Sequence, residues 1–297
     1  MTSTADDVLR RFGSLKQHRR DGTRSPHKPL LVLLALGRLQ STGSSAVPWS
    51  VAETQLAELI AEFGPASRTS PAQSAAYPFT RLRAEAVWHL DHDVAMDSVG
   101  PLRRDGVTGA FVPEIEQHLR SAPGAVAELA RSLVDSQFPA TISDDVLTAV
   151  GLVELVETTV GPSTNLRRRD PTWRMSVVDA WDRRCAFCGY DGQVAGVPVG
   201  LEAAHVRWFA FDGPDDLDNG LALCMLHHKL FDRGVLGFDD RHRVTVSGSF
   251  TARTEAGRQV YWLHGRPLSA QPGTPLPAPV HVAWQRDQVF KGAALAA

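Results

Sequence analysis

The sequence predicts an α+β chain of two domains: a mixed, helix-rich first domain over residues 1–165 and a smaller second domain over residues 166–297. Three observations predict this. At 297 residues the chain exceeds what a single hydrophobic core usually serves. Apolar runs of helical length dominate the first half, whereas short runs punctuated by Gly, Pro and Asp fill the second. All three cysteines, Cys185, Cys188 and Cys224, fall in the second part. A hydrophobic content of 43% is enough for packed cores and too high for a disordered polymer. The sequence holds no run of about 20 apolar residues, so no membrane span is expected. The start, MTSTADDVLRR, lacks the apolar stretch of a secretory signal, and a cytoplasmic location is the default expectation.

The elements follow in order. DVLRRFG opens with a short helical pattern, and a basic loop with Gly22 and Pro26 follows. A nearly continuous apolar helix is expected from about Pro29 to Leu39, with Ser25 as N-cap and Pro26 in the first turn. Its all-round apolar character places it at the centre of a core. VAETQLAELIAEFG has helical periodicity and stops at Gly64. A polar loop then reaches Tyr77-Pro78-Phe79, ahead of a strand including Val87, Trp88 and Leu90. Pro113 to Leu133 reads as one or two helices broken near Pro123-Gly124, and another helix runs from beyond Thr141 through Val150. The domain boundary falls within residues 158–172.

In the second domain MSVVDAWDRR is a helix that delivers the chain to CAFCG, and short strands flank LEAAHVRWF. A loop with a Gly213-Pro214 turn leads to Asn219, and a helix covers roughly Leu226 to Phe231, ending near Gly234. VLGFDDRHRVTVSG reads as a hairpin, Val260 to Leu263 as a further strand, and the tail after Pro272 as weakly helical.

The formal charge of −2 does not by itself point to a polyanionic partner. Its distribution is uneven: residues 1–40 hold eight Lys/Arg against three Asp, and NLRRRDPTWR forms a second basic cluster. Local positive fields can steer nucleic acid when the total is near zero, though a solvated basic face gives the same pattern.

Cysteine spacing is more informative. Cys185-x-x-Cys188 and Cys224-x-x-His227 are two ligand pairs separated by 35 residues. Each pair can offer two donors from a tight turn, and together they make a tetrahedral Cys3His set suited to structural Zn2+. With four protein donors, such a zinc has no open position for chemistry, so other residues must react. The candidates are His205, Asn219 and His228. Adjacent helical residues diverge by about 100°, so His227 and His228 are expected to serve different sites.

These residues, CAFC, EAAH, NGLALCMLHH and KLFDRG, resemble the zinc-stabilised HNH nucleases, with a ββα-metal core over residues 173–240. The resemblance implies His205 as general base and Asn219 as the residue that holds the base or its loop. It implies His228 as ligand of a catalytic cation, Mg2+ or Mn2+, or as a contact to the scissile phosphate. Many relatives place an acidic ligand directly before the base, where this chain has Ala204. Glu202, expected to share the strand face of His205, and Asp232, one helical turn after His228, are the candidates to complete or support the cation site.

The first part, with SPHKPLLVLLALGRL and AAYPFTR, resembles the sulfur-binding domains of type IV restriction enzymes that read phosphorothioate-modified DNA. The whole chain is similar to the McrA-type arrangement, reader first and HNH second. The resemblance implies that Tyr77 and Pro78 form an apolar cup for the backbone sulfur and that His27 and Lys28 contact nearby backbone or bases. Arg19, Arg20 and Arg81 are further candidate DNA contacts. Sulfur in place of a phosphate oxygen keeps the charge but is larger and less strongly hydrated, so an apolar cup favours it. The expected partner is double-stranded phosphorothioate DNA, with a homodimer left open because two active sites would ease double-strand cutting. Two other readings stay open on the sequence: an HNH nuclease for another modification such as methylcytosine, and a DNA-binding module without cleavage.

Overall fold

The computed structural model describes residues 5–15, 25–67, 69–160 and 171–296. The chain divides into two compact units, Met1–Asn165 and Leu166–Ala297. Among the described residues no helix is long and apolar enough to cross a membrane.

In the first unit α1 (Ala5–Gly13) precedes α2 (His27–Thr42). Leu30, Leu31, Val32, Leu33 and Leu36 of α2 are fully buried, as a helix apolar on every side requires. The N-cap is Pro26 and not Ser25, and it makes no side-chain capping bond. β1 (Val47–Pro48) enters one helical stretch composed of α3 (Trp49–Val51), a π turn at Ala52–Leu56, and α4 (Ala57–Phe63), which stops at Gly64.

α5 (Pro71–Arg81) corrects an expectation: Tyr77, Pro78 and Phe79 lie in a helix and not in a loop. Ser70 caps it, accepting from the Gln73 N–H at 3.3 Å. Pro78 cannot donate to the carbonyl one turn back, a cost tolerated here because Ala75, Ala76, Pro78 and Phe79 are buried. β2 (Trp88–Leu90), α6 (Val99–Arg104) and β3 (Thr108–Phe111) follow. The three strands form an antiparallel sheet with β3 central, Trp88 opposite Phe111 and Val47 opposite Gly109. Edge-to-face contacts at 5.3–6.0 Å link Phe12, Phe111, Trp88, Phe79 and Trp49, joining the sheet to α1, α5 and α3. α7 (Pro113–Ser121), α8 (Pro123–Gln137), α9 (Ala140–Ala149) and α10 (Val153–Thr159) complete the unit, with the break at Pro123 where the sequence predicts it.

The second unit opens with α11 (Pro171–Ala180) and a small hairpin of β4 (Gln193–Val194) and β5 (Val197–Pro198). β6 (Leu201–His205) then pairs antiparallel with β7 (Gly220–Cys224), Leu201 opposite Cys224 and His205 opposite Gly220. LEAAH is therefore itself a strand. β7 runs directly into α12 (Met225–Asp232), giving a ββα unit. β8 (Leu236–Phe238) and β9 (Val244–Val246) form the expected hairpin, followed by α13 (Glu255–Arg258) and, near the end, α14 (Pro279–Gln288). Val260 to Leu263 is not a strand: Tyr261–Leu263 is a 3₁₀ turn. Val260 and Leu263, three apart, are buried while Trp262 is 56% exposed, a period of three and not of two. The core gathers Val177, Trp181, Phe187, Leu221, Leu223, Phe231 and Phe238.

Candidate functional site

The four predicted zinc ligands meet. Cys185 and Cys188 flank a tight turn closed by the Gly189 N–H on the Cys185 carbonyl at 2.8 Å, and Gly189 takes a φ of 73°, which suits a residue without Cβ. The Ala186 N–H bonds the Ala222 carbonyl at 2.7 Å and so carries this knuckle to β7. Cys224 ends β7, and His227 lies in the first turn of α12. Donor atoms of Cys185, Cys188, Cys224 and His227 all fall within 4.8 Å of one another. His227 Nδ1 is 3.2 Å from Cys224 Sγ and 3.5 Å from Cys185 Sγ. Tetrahedral zinc with bonds of about 2.0–2.3 Å holds its donors at roughly this separation, so the set fits a metal of that kind. Burial pulls the His227 imidazole down, but Cys185, Cys188 and Cys224 outweigh it and push it up to about 12.

His205 ends β6 with its ring stacked on Trp173 of α11, centroids 3.9 Å apart and planes within 17°. Gly220, opposite it, makes this possible. A Cβ there would lie 2.6 Å from Val177 Cγ2 and 3.3 Å from Trp173 Cζ2. The glycine lets α11 lie against the start of β7 and so brings the indole to His205. The His205 Nε2 is 2.7 Å from the Asp215 carboxylate. Sequence reasoning did not single out Asp215. Its signal was an acidic cluster, GPDDLDN, with nothing to tell which carboxylate turns inward.

Asn219 is fully buried and holds the loop between the strands. Its Oδ1 accepts from the Arg207 N–H at 2.8 Å, while Nδ2 donates to the carbonyls of Arg207 at 3.1 Å and Pro214 at 2.9 Å. Each polar atom of the amide thus fixes backbone.

His228, on α12, turns away from the Cys3His set, as the helical rotation predicts. Its Nδ1 is 2.7 Å from Glu202 and its Nε2 3.2 Å from Asp232. Asp232 in turn accepts from the Trp208 indole N–H at 3.0 Å. Burial pulls the His228 imidazole down, but Asp232 and then Glu202 outweigh it and hold it up at about 9. One expectation is corrected: Glu202 does not share the face of His205. His205 is three positions after Glu202, an odd step along a strand, and Glu202 faces α12 while His205 lies on Trp173.

In the first unit α2 packs against α5, and Lys28, at the start of α2, pairs with Glu85 in the turn that follows α5. His27 is half-buried, as is Tyr77, whereas Pro78 is buried. The Arg81 guanidinium lies 5.0 Å over the Tyr77 ring and binds both carboxylate oxygens of Asp97. Arg81 and Lys28 are thus both committed to carboxylates within the unit. Arg19 and Arg20 lie outside the described residues, as does most of the basic cluster before α11.

The chain thus consists of a helix-rich unit followed by a ββα unit that carries a Cys3His set and a separate histidine site. The family model described as ScoMcrA-like, DNA sulfur-binding domain, matches residues 5–155, just over half of the chain, and the chain belongs to this family. The HNH endonuclease family model matches residues 185–239. Among solved structures, the sulfur binding domain of ScoMcrA complexed with phosphorothioated DNA is 23% identical, with 50% of this chain and 97% of that chain covered and a TM-score of 0.43. The corresponding domain of SprMcrA is 20% identical, covering 52% and 98% at a TM-score of 0.43. The type IV phosphorothioation-dependent restriction endonuclease ScoMcrA is 19% identical over 66% of this chain and 41% of its own, with a TM-score of 0.43. This chain thus spans less than half the length of that enzyme. No curated protein matches the chain.

Proposed function

We propose that this chain is a modification-dependent endonuclease that binds phosphorothioate-modified double-stranded DNA through its first unit and hydrolyses nearby phosphodiester bonds with its second. One observation carries the reading: membership of the sulfur-binding family over residues 5–155 is joined, in the same chain, to an HNH match over 185–239 that contains His205, Asn219 and His228. Tyr77 and Pro78, with His27 and Lys28, are the residues assigned to the modified backbone. The burial of Pro78 makes it a wall behind Tyr77 more than a contact surface.

In the nuclease unit His205 acts as general base, taking a proton from water near neutral pH. Asn219 fixes the loop that frames it. Zn2+ in the Cys185, Cys188, Cys224 and His227 set ties the knuckle to β7 and α12 and takes no part in the chemistry. The catalytic cation, Mg2+ or Mn2+, is assigned to His228 and Glu202, and it supplies charge neutralisation at the phosphate. Glu202 keeps 37% of its side chain exposed, where a cation that also binds phosphate could reach it, whereas Asp232 keeps 2% and is held by Trp208. Asp232 therefore orients His228 from its far nitrogen, as carboxylates do behind ligating histidines.

The test compares one duplex with and without a phosphorothioate at fixed salt and divalent cation. Binding and cleavage of the modified duplex alone are expected, with cleavage lost in His205→Ala. Equal binding and cutting of both duplexes would refute the sulfur-selective reading.

A further inference from the structure

The loop between β6 and β7 is anchored on both sides of a single carboxylate. Asp215 Oδ1 lies 2.7 Å from His205 Nε2. The preceding residue is pinned because the Pro214 carbonyl accepts from Asn219 Nδ2 at 2.9 Å. The following residue is pinned twice, with the Asp216 carbonyl accepting from the Trp173 indole at 3.2 Å and from the Asn219 N–H at 3.1 Å. Upstream, Gly213 sits where a Cβ would fall 1.8 Å from the Arg207 carbonyl, and its N–H bonds the Trp208 carbonyl at 3.1 Å. Trp173 therefore does two things at once: its face sets the plane of the His205 ring, and its N–H holds the backbone beside Asp215. An exposed ion pair on a free loop would fix little. Here the backbone on each side is clamped before the carboxylate meets the imidazole.

We propose that Asp215 is a positioning residue for His205, holding the hydrogen on Nε2 and so making Nδ1 the nitrogen that takes the proton from the attacking water. This rests on the nuclease reading above. A neutral imidazole carries its hydrogen on one nitrogen and its lone pair on the other, and a carboxylate facing Nε2 selects the form with the hydrogen there. As the water oxygen bonds to phosphorus, its proton passes to Nδ1, the bond from phosphorus to the leaving oxygen breaks, and that oxygen takes a proton from solvent. The imidazolium so formed has the Asp215 carboxylate 2.7 Å away. That attraction is stronger after proton transfer than before, which is the condition for speeding the step.

The experiment uses the full chain and Asp215→Asn, which keeps the shape but offers an amide in place of the carboxylate. Side-chain 15N NMR is expected to show His205 with its hydrogen on Nε2 in the parent and to lose that preference in the variant. Single-turnover cleavage of a phosphorothioate duplex is expected to fall roughly 10–100-fold, the scale typical of outer-shell partners. The duplex Kd should stay unchanged, and Asp215→Glu should restore part of the rate. An unchanged tautomer and rate in Asp215→Asn would overturn the proposal, as would a rate loss matched by equal losses of DNA affinity and of thermal stability. A parent that cuts no duplex would refute the nuclease reading, while the tautomer measurement would still decide whether Asp215 controls the ring.

Discussion

Asn219 illustrates how much one buried amide decides. Its three side-chain hydrogen bonds all end on the backbone of the loop that presents Asp215 to His205. Asn219→Ala leaves an N–H and two carbonyls without these partners, at a cost of about 2–4 kcal/mol, to be read by denaturant unfolding. Asn219→Asp should be no better. Its carboxylate can still accept from Arg207, but its second oxygen would face the carbonyls of Arg207 and Pro214 with no hydrogen to give. A second residue-level test separates the two carboxylates around His228. Glu202→Gln is expected to raise the Mg2+ concentration needed for half-maximal cleavage by roughly 10-fold or more, and Asp232→Asn to slow cleavage with a smaller change in that concentration. Metal titrations of both variants check this, and equal shifts would remove Glu202 as the cation's carboxylate.

At the scale of elements, the knuckle and α12 depend on each other through the Cys3His set. Three sulfur donors within 4.8 Å of one another repel as thiolates unless a cation sits among them. Cys188 is exposed, so Cys188→Ser removes a ligand without opening a core cavity. If the proposed zinc occupies this set, elemental analysis is expected to find it in the parent and not in the variant, and the variant is expected to melt several degrees lower, with a strong chelator producing the same drop in the parent. This site was legible in the sequence because its information is local: two short ligand pairs, each closed by a turn. The same holds for α2, whose unbroken apolar run left no other placement, and for the division of His227 from His228 by helical rotation.

Elements whose identity depends on distant packing depart from what the sequence predicts. The stretch leading to Tyr77-Pro78-Phe79 reads as a loop because its residues are small and polar, but Phe79 is needed between Trp49 and Trp88 and holds α5 through that position. Val260 to Leu263 is too short for period two and period three to be distinguished until burial is known. Glu202 lies on the face opposite His205, one step of strand alternation from the expected one. Asp215 belongs to a contact made across a loop, which no spacing rule encodes.

For the whole molecule, the net charge of −2 means that long-range attraction to DNA is weak and that recognition must come from local contacts. Two kinds of contact then have separable signatures. Tyr77 is half-buried and offers an aromatic surface and not a cation, so it can distinguish sulfur from oxygen without affecting the counterions released on binding. Lys28 neutralises phosphate charge in the proposed complex only by leaving Glu85, so its effect must include the loss of that pair. Tyr77→Ala is therefore expected to weaken binding of the phosphorothioate duplex at least 10-fold, leave binding of the unmodified duplex unchanged, and preserve the slope of log K against log salt. Lys28→Gln is expected to weaken both duplexes alike and to reduce that slope by about one, the value for a single phosphate contact. Fluorescence anisotropy over a salt series with the two duplexes reads these affinities and slopes. If Tyr77→Ala weakened both duplexes equally, the aromatic ring would be a general DNA contact and sulfur selection would have to reside elsewhere in the first unit. If Lys28→Gln left the slope intact, the Lys28–Glu85 pair would be a structural tie between α2 and the end of α5, and the phosphate contacts would belong to other cations.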